Sequence, residues 1–557
     1  MRWIKILKLC LLTISLLLLI VHISSAERVI ITVKEDDYKK DEILMKYIKI
    51  LNKVNKLKSL GKIKSFKKLW IANAIAIDAP SYIIDEFKKM EDIKILKDYK
   101  IRIKTNRLSQ NTNSYGKWNF EIINVSYVLS KGINGSGVNV CVIDTGVEHD
   151  ELMNKVVKWI DVVNGVAEPY DDNGHGTFVC GIIASESYGI SPGVNLFVAK
   201  AFDSDGVGYL SDIIYAFQWA YENGADIISY SAGTFAYDEF SSSGDLSVND
   251  YSIIQFNVLP EYEYDGYVYD AFKPALISFN VSTNNSDFEL YLMDPNGNPV
   301  ELSKYDDRYI YYDRNPLMSG NWAIKIVSHS NPIRYSVYGI VVYESDGTDI
   351  ISNAVNSLID NGTIVVVAAG NEGEYGFRTI NSPACSKAIA VGAIDSNKEI
   401  ASFSSRGPVG WGDNLTIKPD FVAPGVNIYS TTPSGFGTMS GTSAATPHVT
   451  GVIALMLQIN PRLKPEEVND ILRLTAVDLG EVGEDNVYGY GLIDAYKACK
   501  ASIRGDLNDD FRIDIADVTL VAQMVVGRVK QDLSVDFNNN KRVDIGDLAR
   551  MVYYYLL

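Results

Sequence analysis

Between residues 138 and 371, short and almost wholly apolar runs alternate with segments whose apolar residues recur at helical spacing. The runs are VNVCVIDTG (138–146), VNLFVAKAF (194–202), ADIISYSAG (225–233) and TIVVVAAGN (363–371); between them lie GTFVCGIIAS (176–185), SDIIYAFQWAYENG (211–224) and IISNAVNSLIDNG (350–362). A continuous apolar run closed by a turn suits a strand buried on both faces. Strands that alternate with helices join into a parallel sheet covered on both sides. The expected fold class is therefore α/β, a parallel sheet with helices on both faces.

At 557 residues the chain exceeds a single domain, and its flanks differ in texture from this segment. Residues 1–26 read as a signal peptide: Arg2, Lys5 and Lys8 precede an apolar stretch, Leu9 to Val21, and Ser24-Ser25-Ala26 offers small residues for cleavage. Secretion follows, with an extracellular or cell-surface location. Within 27–110, ERVIITVK (27–34), IANAIAIDA (71–79) and DIKILKDYKI (92–101) read as strands. Residues 39–57, with Ile43, Leu44, Tyr47, Ile48 and Leu51, and the stretch from Pro80-Ser81 to Met90 read as helices. This is a small α+β module; the polar stretch from Asn106 to Lys117 reads as a linker. Residues 238–345 interrupt the α/β rhythm with alternating stretches such as DFELYLMD and RYSVYGIVVY, an all-β insert that begins directly after Ser231-Ala232-Gly233.

The net charge of −17 argues against nucleic acid as a partner, because phosphate binding needs a basic face. The charge is uneven. Residues 27–110 hold about 21 Lys/Arg against about 12 Asp/Glu, and the remainder beyond the basic N-terminus about 28 against 57. A basic module docking on an acidic partner in the same chain is one reading; two differently solvated surfaces is the other. Of the five cysteines, Cys10 belongs to the signal segment, and Cys141, Cys180, Cys385 and Cys499 are too few for a disulfide framework, although a Cys141–Cys180 bridge stays open.

A general base near neutral pH is most often histidine, and there are five: His22, His149, His175, His329 and His448. His175 stands at a helix entry in DDNGHGTFVCG, flanked by glycines that leave the imidazole uncovered. Asp144 ends a buried strand, where its carboxylate can accept from the imidazole Nδ1–H. Ser443, in GTMSGTSAATPHVTG (437–451), opens an apolar helix near its positive end. The Asn371 amide, past another strand end, can donate to a developing oxyanion. Sites of open parallel sheets lie beyond the carboxyl ends of the strands, where all four can meet.

These motifs resemble the subtilisin-like serine peptidases: DTGVEHDEL, DDNGHGTFVCG, VVVAAGNEG and GTMSGTSAATPHVTG, with SFSSRGP (402–408), KPDFVAPGV (418–426) and YGYGLIDA (488–495). The resemblance implies a subtilisin-like catalytic domain over 117–500 and a triad of Asp144, His175 and Ser443. It implies an oxyanion hole from Asn371 and the Ser443 N–H. It also implies Gly206-Val207-Gly208 and Ser231-Ala232-Gly233 as strands that pair with extended substrate, with Gly370 beside them. Phe178 and Ala444 stand where the family usually has His and Met. Glu372, beside Asn371, favours a basic side chain before the scissile bond. The 27–110 module resembles the subtilisin propeptide, chaperone and inhibitor, which implies self-cleavage within about 100–116. The insert resembles β-sandwich modules of secreted peptidases and is either inert or an exosite.

The C-terminal segment, 501–557, carries GDLNDDFRIDIADVTLV (505–521) and, offset to 535–551, VDFNNNKRVDIGDLARM. Asp506, Asn508, Asp510, Asp514 and Asp517 hold positions 1, 3, 5, 9 and 12 of a calcium loop, with the Arg512 carbonyl at position 7; Asp536, Asn538, Asn540, Arg542, Asp544 and Asp547 repeat them. Hard oxygen ligands at these offsets suit Ca²⁺ as cofactor. Only exiting helices are readable, a pattern that resembles dockerin modules and implies a cohesin-bearing scaffold protein as partner. Phe511 and Lys541 replace the usual Gly at position 6. A calcium-dependent adhesion or scaffold protein with an inactive peptidase domain is the competing reading, and it leaves the four-residue constellation unexplained.

Overall fold

A computed structural model of the protein describes residues 26–34, 40–104, 117–264, 267–269, 271–538 and 540–556. The segment read as a signal peptide, apart from Ala26, and nearly all of the linker lie outside the described residues. The main sheet has seven strands in the order Phe421–Pro424, Ile389–Ile394, Ile364–Ala368, Ile227–Tyr230, Asn139–Asp144, Asn195–Lys200, Val156–Asp161, and every neighbouring pair is parallel. Alternate residues of the central strand enter different cores. Val140 and Val142 pack with the helices His175–Ala184 and Thr442–Ile459, while Cys141 and Ile143 pack with Leu210–Glu222 and Ile350–Asp360. The strand period of two thus divides one apolar run between two covered faces. Cys141, Cys180, Cys385 and Cys499 are free and buried, so no Cys141–Cys180 bridge forms.

The N-terminal residues form an antiparallel four-stranded sheet, ordered Ser65–Leu69, Ala74–Pro80, Ala26–Val33, Ile93–Lys97. One face, with Val29, Ile31, Ile75 and Ile77, packs on the helices Lys40–Ser59 and Ser81–Lys88. The opposite face, with Ile30, Ala74, Ala76 and Leu96, shares a core with Leu210–Glu222 and Ile350–Asp360. Charges join at this seam: Arg28 Nη2 lies 3.0 Å from Asp212 Oδ1, Lys67 pairs with the same carboxylate, and Trp70 Nε1 donates to Glu222 at 2.7 Å.

The run 92–101 does not form one strand. It divides at Asp98-Tyr99 into Ile93–Lys97, which stays in the N-terminal sheet, and Lys100–Arg102, which pairs antiparallel with Val207–Tyr209. The cause is Asp98. Its carboxylate accepts from Ser211 N–H at 2.8 Å and Ser211 Oγ–H at 2.7 Å, at the start of Leu210–Glu222, and pairs with Arg28 Nε at 2.9 Å. Capping that helix carries the chain off one sheet and onto the other.

Residues 236–345 build two antiparallel sheets, of five and four strands, around Phe256, Phe279, Trp322, Ile324 and Tyr343, and a two-stranded ladder of Glu263–Tyr264 with Tyr267–Val268. The first and last strands, Ala236–Leu246 and Ile333–Ser345, pair along the full length of the first, so the segment leaves and re-enters the α/β unit at adjoining points. At the C-terminus, the helices Ile515–Val525 and Ile545–Leu556 enclose Val521, Met524, Val535, Val543 and Met551. Among the described residues no helix is long and apolar enough to cross a membrane.

Candidate active site

The strand Asn139–Asp144 ends in a carboxylate at the carboxyl edge of the sheet, and His175 begins a helix at the same edge. His175 Nδ1 lies 2.7 Å from Asp144 Oδ1, and both side chains are buried. This contact sets Nδ1 as the protonated nitrogen and leaves Nε2 as the basic one. Among the described residues Nε2 has no hydrogen-bond partner. Burial disfavours the imidazolium, but the charges of Asp144 and Asp171 outweigh it and raise His175 above the ordinary histidine value.

The flanking glycines do not leave His175 uncovered, since the residue is fully buried. They serve close approach instead. A Cβ on Gly176 would lie 2.3 Å from the Gly146 carbonyl oxygen. The other described histidines are differently placed. His149 caps a short helix, and His329 lies in the β insert. His448 is held between Asn119 and the Ala444 carbonyl and pushed down to about 4 by burial.

Ser443 stands in the first turn of Thr442–Ile459, where backbone N–H groups have no intrahelical acceptor. Its hydroxyl donates to the Ser231 carbonyl at 2.9 Å rather than to His175. Asn371 Oδ1 accepts from the Thr442 N–H at 2.9 Å and from Thr442 Oγ–H at 3.0 Å, which orients the amide so that Nδ2 faces the cleft. There Nδ2 donates to the carbonyl oxygen of Lys104 at 3.2 Å. Gly370, at φ +119°, must be glycine: a Cβ would lie 2.7 Å from Asn381 Cγ and Ser405 Oγ.

The chain therefore lies in its own cleft. Arg102 pairs with Val207, Ile101 with Gly208 and Lys100 with Tyr209, while Ile103 N–H donates to the Gly206 carbonyl at 2.9 Å. Ser231, Ala232 and Gly233 line the same cleft, but among the described residues they form no ladder with 100–104. The Ser231 carbonyl is occupied by the Ser443 hydroxyl. Lys104 Nζ lies 2.9 Å from Glu372 Oε1, whose side chain is 1% exposed, and above the rings of Phe235 and Tyr237. Burial disfavours the ammonium, and Glu372 outweighs it and raises Lys104 above the ordinary lysine value.

Sequence reasoning missed two supports. Asp171 accepts from Gly174 N–H, Thr177 N–H, Thr177 Oγ–H and Thr145 Oγ–H, at 2.6 to 2.9 Å, and so fixes the loop that presents His175. Its signal was an Asp four residues before the helical histidine, in a DDNG turn. Thr442, which orients Asn371, carried no signal of its own. Phe178 and Ala444, the departures from the family pattern, are wholly buried core residues.

In the C-terminal segment, carboxylate oxygens of Asp506, Asp510 and Asp517 lie within 4.8 Å of one another, a spacing that fits a hard cation. The Phe511 N–H donates to Asp506 Oδ2 at 2.8 Å and the Leu507 N–H to Asp517 Oδ1 at 2.8 Å. Asn508 accepts from the Asp510 N–H, Arg512 N–H donates to Asp510, and Asp514 caps the exit helix through Ala516 N–H. The second loop repeats this folding with Asp536, Asn538, Asn540, Arg542, Asp544 and Asp547, although Asn540 donates its amide to Asp544. Phe511 and Lys541 take φ of +63° and +66°, the left-handed backbone that favours glycine. Phe511 offsets that strain by burying its ring against Tyr127 and Tyr496 of the α/β unit.

Asn371 Nδ2 thus holds the Lys104 carbonyl in a cleft that Ser443 also lines. On a parallel α/β sheet, with a buried Asp–His pair, this arrangement marks a serine endopeptidase of the subtilisin type. Comparison with known sequences agrees. A model of the Subtilase family matches residues 135–267 and 278–491, more than half of the chain, and the protein belongs to that family. It is 30% identical over 394 residues to Serine protease AprX of Bacillus subtilis (strain 168), covering 65% of this chain and 66% of that protein. It is 29% identical over 387 residues to Subtilisin DY of Bacillus licheniformis, covering 68% and 97%. To Minor extracellular protease Epr of Bacillus subtilis (strain 168) it is 24% identical over 469 residues, covering 79% and 53%. The chain thus spans just under two thirds of AprX and about half of Epr.

Proposed function

We propose that this protein is a secreted serine endopeptidase, made as a zymogen that cleaves the bond after Lys104 and thereby frees its N-terminal module. The observation that carries this reading is the Lys104 carbonyl at the Asn371 amide, with the preceding residues paired as a strand to the enzyme. In the reaction, the Ser443 hydroxyl turns from the Ser231 carbonyl toward His175 Nε2. Oγ attacks the carbonyl carbon while Nε2 takes its proton. Asn371 Nδ2 and the Ser443 N–H hold the negative oxygen. His175 then protonates the amine leaving as Thr105, and water, deprotonated by His175, releases Lys104 from Ser443. Asp144 holds the imidazole and stabilises its charged form.

Glu372 selects a basic side chain at the residue that supplies the scissile carbonyl. The bond-breaking steps draw on no side chain of the β insert or of the calcium module. Asp506, Asn508, Asp510, Asp514, Asp517 and the Arg512 carbonyl are read as Ca²⁺ ligands, with a weaker second site where Asn540 replaces a carboxylate. The module's likeness to dockerins makes a cohesin-bearing scaffold its candidate partner. N-terminal sequencing tests the central reading: the wild type should yield a mature chain starting at Thr105, and Ser443→Ala should keep its N-terminal module. A Ser443→Ala chain processed at the same bond would falsify it.

A further inference from the structure

The insert reaches the cleft through a short row of aromatic rings. Tyr269 stacks on Tyr99, with ring centroids 4.3 Å apart and planes inclined by 24°. Tyr262 meets Tyr269 edge to face at 4.8 Å and packs in turn on Tyr343 at 5.2 Å. Tyr343 is 1% exposed, and its hydroxyl donates to Asp238 and accepts from the Leu259 N–H, each at 3.0 Å. The backbone is held as well: Tyr269 N–H donates to the Tyr262 carbonyl at 2.8 Å, and Tyr262 N–H to the Phe272 carbonyl at 2.9 Å. The face that Tyr269 offers is thus braced from the core of the insert.

Tyr99 belongs to the segment that lies in the cleft. Asp98 makes the last backbone bond to the N-terminal sheet, and the Tyr99 carbonyl accepts from the Leu210 N–H of the catalytic unit at 2.9 Å. From there the register is set by hydrogen bonds through Lys100, Ile101 and Arg102 to the carbonyl of Lys104 at Asn371. Backbone pairing is independent of side chains, so any extended substrate seated in this register brings its sixth residue, counted back from the scissile carbonyl, to Tyr269. An aromatic side chain stacks there on a fixed ring and, as Tyr99 does, packs on the apolar core beneath it; a small one loses the stack.

We propose that the β insert is part of the substrate-binding cleft, with Tyr269, braced by Tyr262, forming a subsite for an aromatic side chain at the sixth residue before the cleaved bond. This rests on the reading of the cleft as a peptidase site that cleaves after Lys104. It assigns the insert a role in substrate choice.

The test uses the self-processed full chain and two peptides that differ only at one position, Tyr-Lys-Ile-Arg-Ile-Lys and Ala-Lys-Ile-Arg-Ile-Lys, each followed by a reporter amide. The wild type should show a kcat/KM about five- to tenfold higher for the tyrosine peptide, the range expected for one aromatic stack. Tyr269→Ala should lower the ratio at least twofold, and Tyr269→Phe should restore it. Because a ratio is read, partial loss of folded enzyme leaves the answer intact. A wild-type ratio near one, or a ratio unchanged in Tyr269→Ala, overturns the proposal. So does a variant in which only inhibition by added N-terminal module weakens, for the stack would then serve docking alone. Failure of the wild type to cleave Ile-Arg-Ile-Lys amide would instead overturn the peptidase reading beneath it.

Discussion

Lys104 places its ammonium 2.9 Å from Glu372 Oε1 while its own carbonyl meets the amide of Asn371, the residue before Glu372. One two-residue step, Asn371-Glu372, thus holds both the side chain and the carbonyl of Lys104. The Glu372 carboxylate is buried, whereas the Lys104 side chain is half exposed, so solvent screens part of the attraction. Glu372→Gln should lower kcat/KM for lysine peptides by about tenfold relative to norleucine peptides. Lys104→Ala should slow appearance of the mature N-terminus. An unchanged lysine preference in Glu372→Gln refutes the assignment.

His175 must be neutral to accept the Ser443 proton. Its pKa lies above the ordinary histidine value, so kcat/KM should be low in acid and rise with pH through a midpoint above about 6.5. Asp144→Asn removes the charge that raises the midpoint and presents the imidazole in the wrong tautomer; kcat should fall about 10⁴-fold. A pH–rate profile of mature enzyme on a short peptide measures both.

Asn371→Leu should lower kcat by about 10²- to 10³-fold with little change in KM, because the amide acts on charge that develops only in the transition state. Thr442→Val, which removes the hydroxyl from Asn371 Oδ1 but keeps the Thr442 N–H, should cost less, about tenfold in kcat. A raised KM with kcat unchanged in Asn371→Leu would place the amide in ground-state binding.

Where the insert rejoins the α/β unit, Glu344 Oε2 lies 3.0 Å from Arg378 Nη1, with both side chains almost wholly buried. Arg378→Met leaves that carboxylate without its partner and should destabilise the protein by about 3–5 kcal/mol near pH 8. Burial raises Glu344, to about 7, against the opposing pull of Arg378. A carboxyl raised above its unfolded value contributes stability below that value and loses it as pH rises through the folded one. The deficit should therefore shrink between pH 8 and pH 5, as Glu344 takes a proton, and thermal melts at both pH values will show whether it does.

Calorimetry of EDTA-stripped full-length protein should show two Ca²⁺ binding events. The loop with Asp510 should be the tighter and the loop with Asn540 the weaker, since affinity rises with the count of charged ligands. Asp506→Ala should remove the tighter event alone. Absence of heat in the stripped wild type excludes calcium from both loops.

The sequence by itself determined the layered α/β core. Strands buried on both faces leave unbroken apolar runs, and helices that cover them leave period-3.6 stripes, so local pattern and tertiary position coincide. It also brought Asp144, His175, Asn371 and Ser443 to one edge, because strand ends and helix starts share that edge in any parallel sheet. The tertiary structure decided what depends on contacts between distant segments. The strand read over 92–101 divides because Asp98 caps a helix more than a hundred residues later. The seating of the Lys104 carbonyl at Asn371 follows from the register of Lys100–Arg102 against Val207–Tyr209, which backbone hydrogen bonds set without regard to side-chain type. Tyr99 and Tyr269 meet because an insert folds back over the cleft, and Thr442 orients Asn371 across 71 positions of chain. No periodicity in a linear sequence encodes such pairings, because their energy depends on two surfaces being packed together.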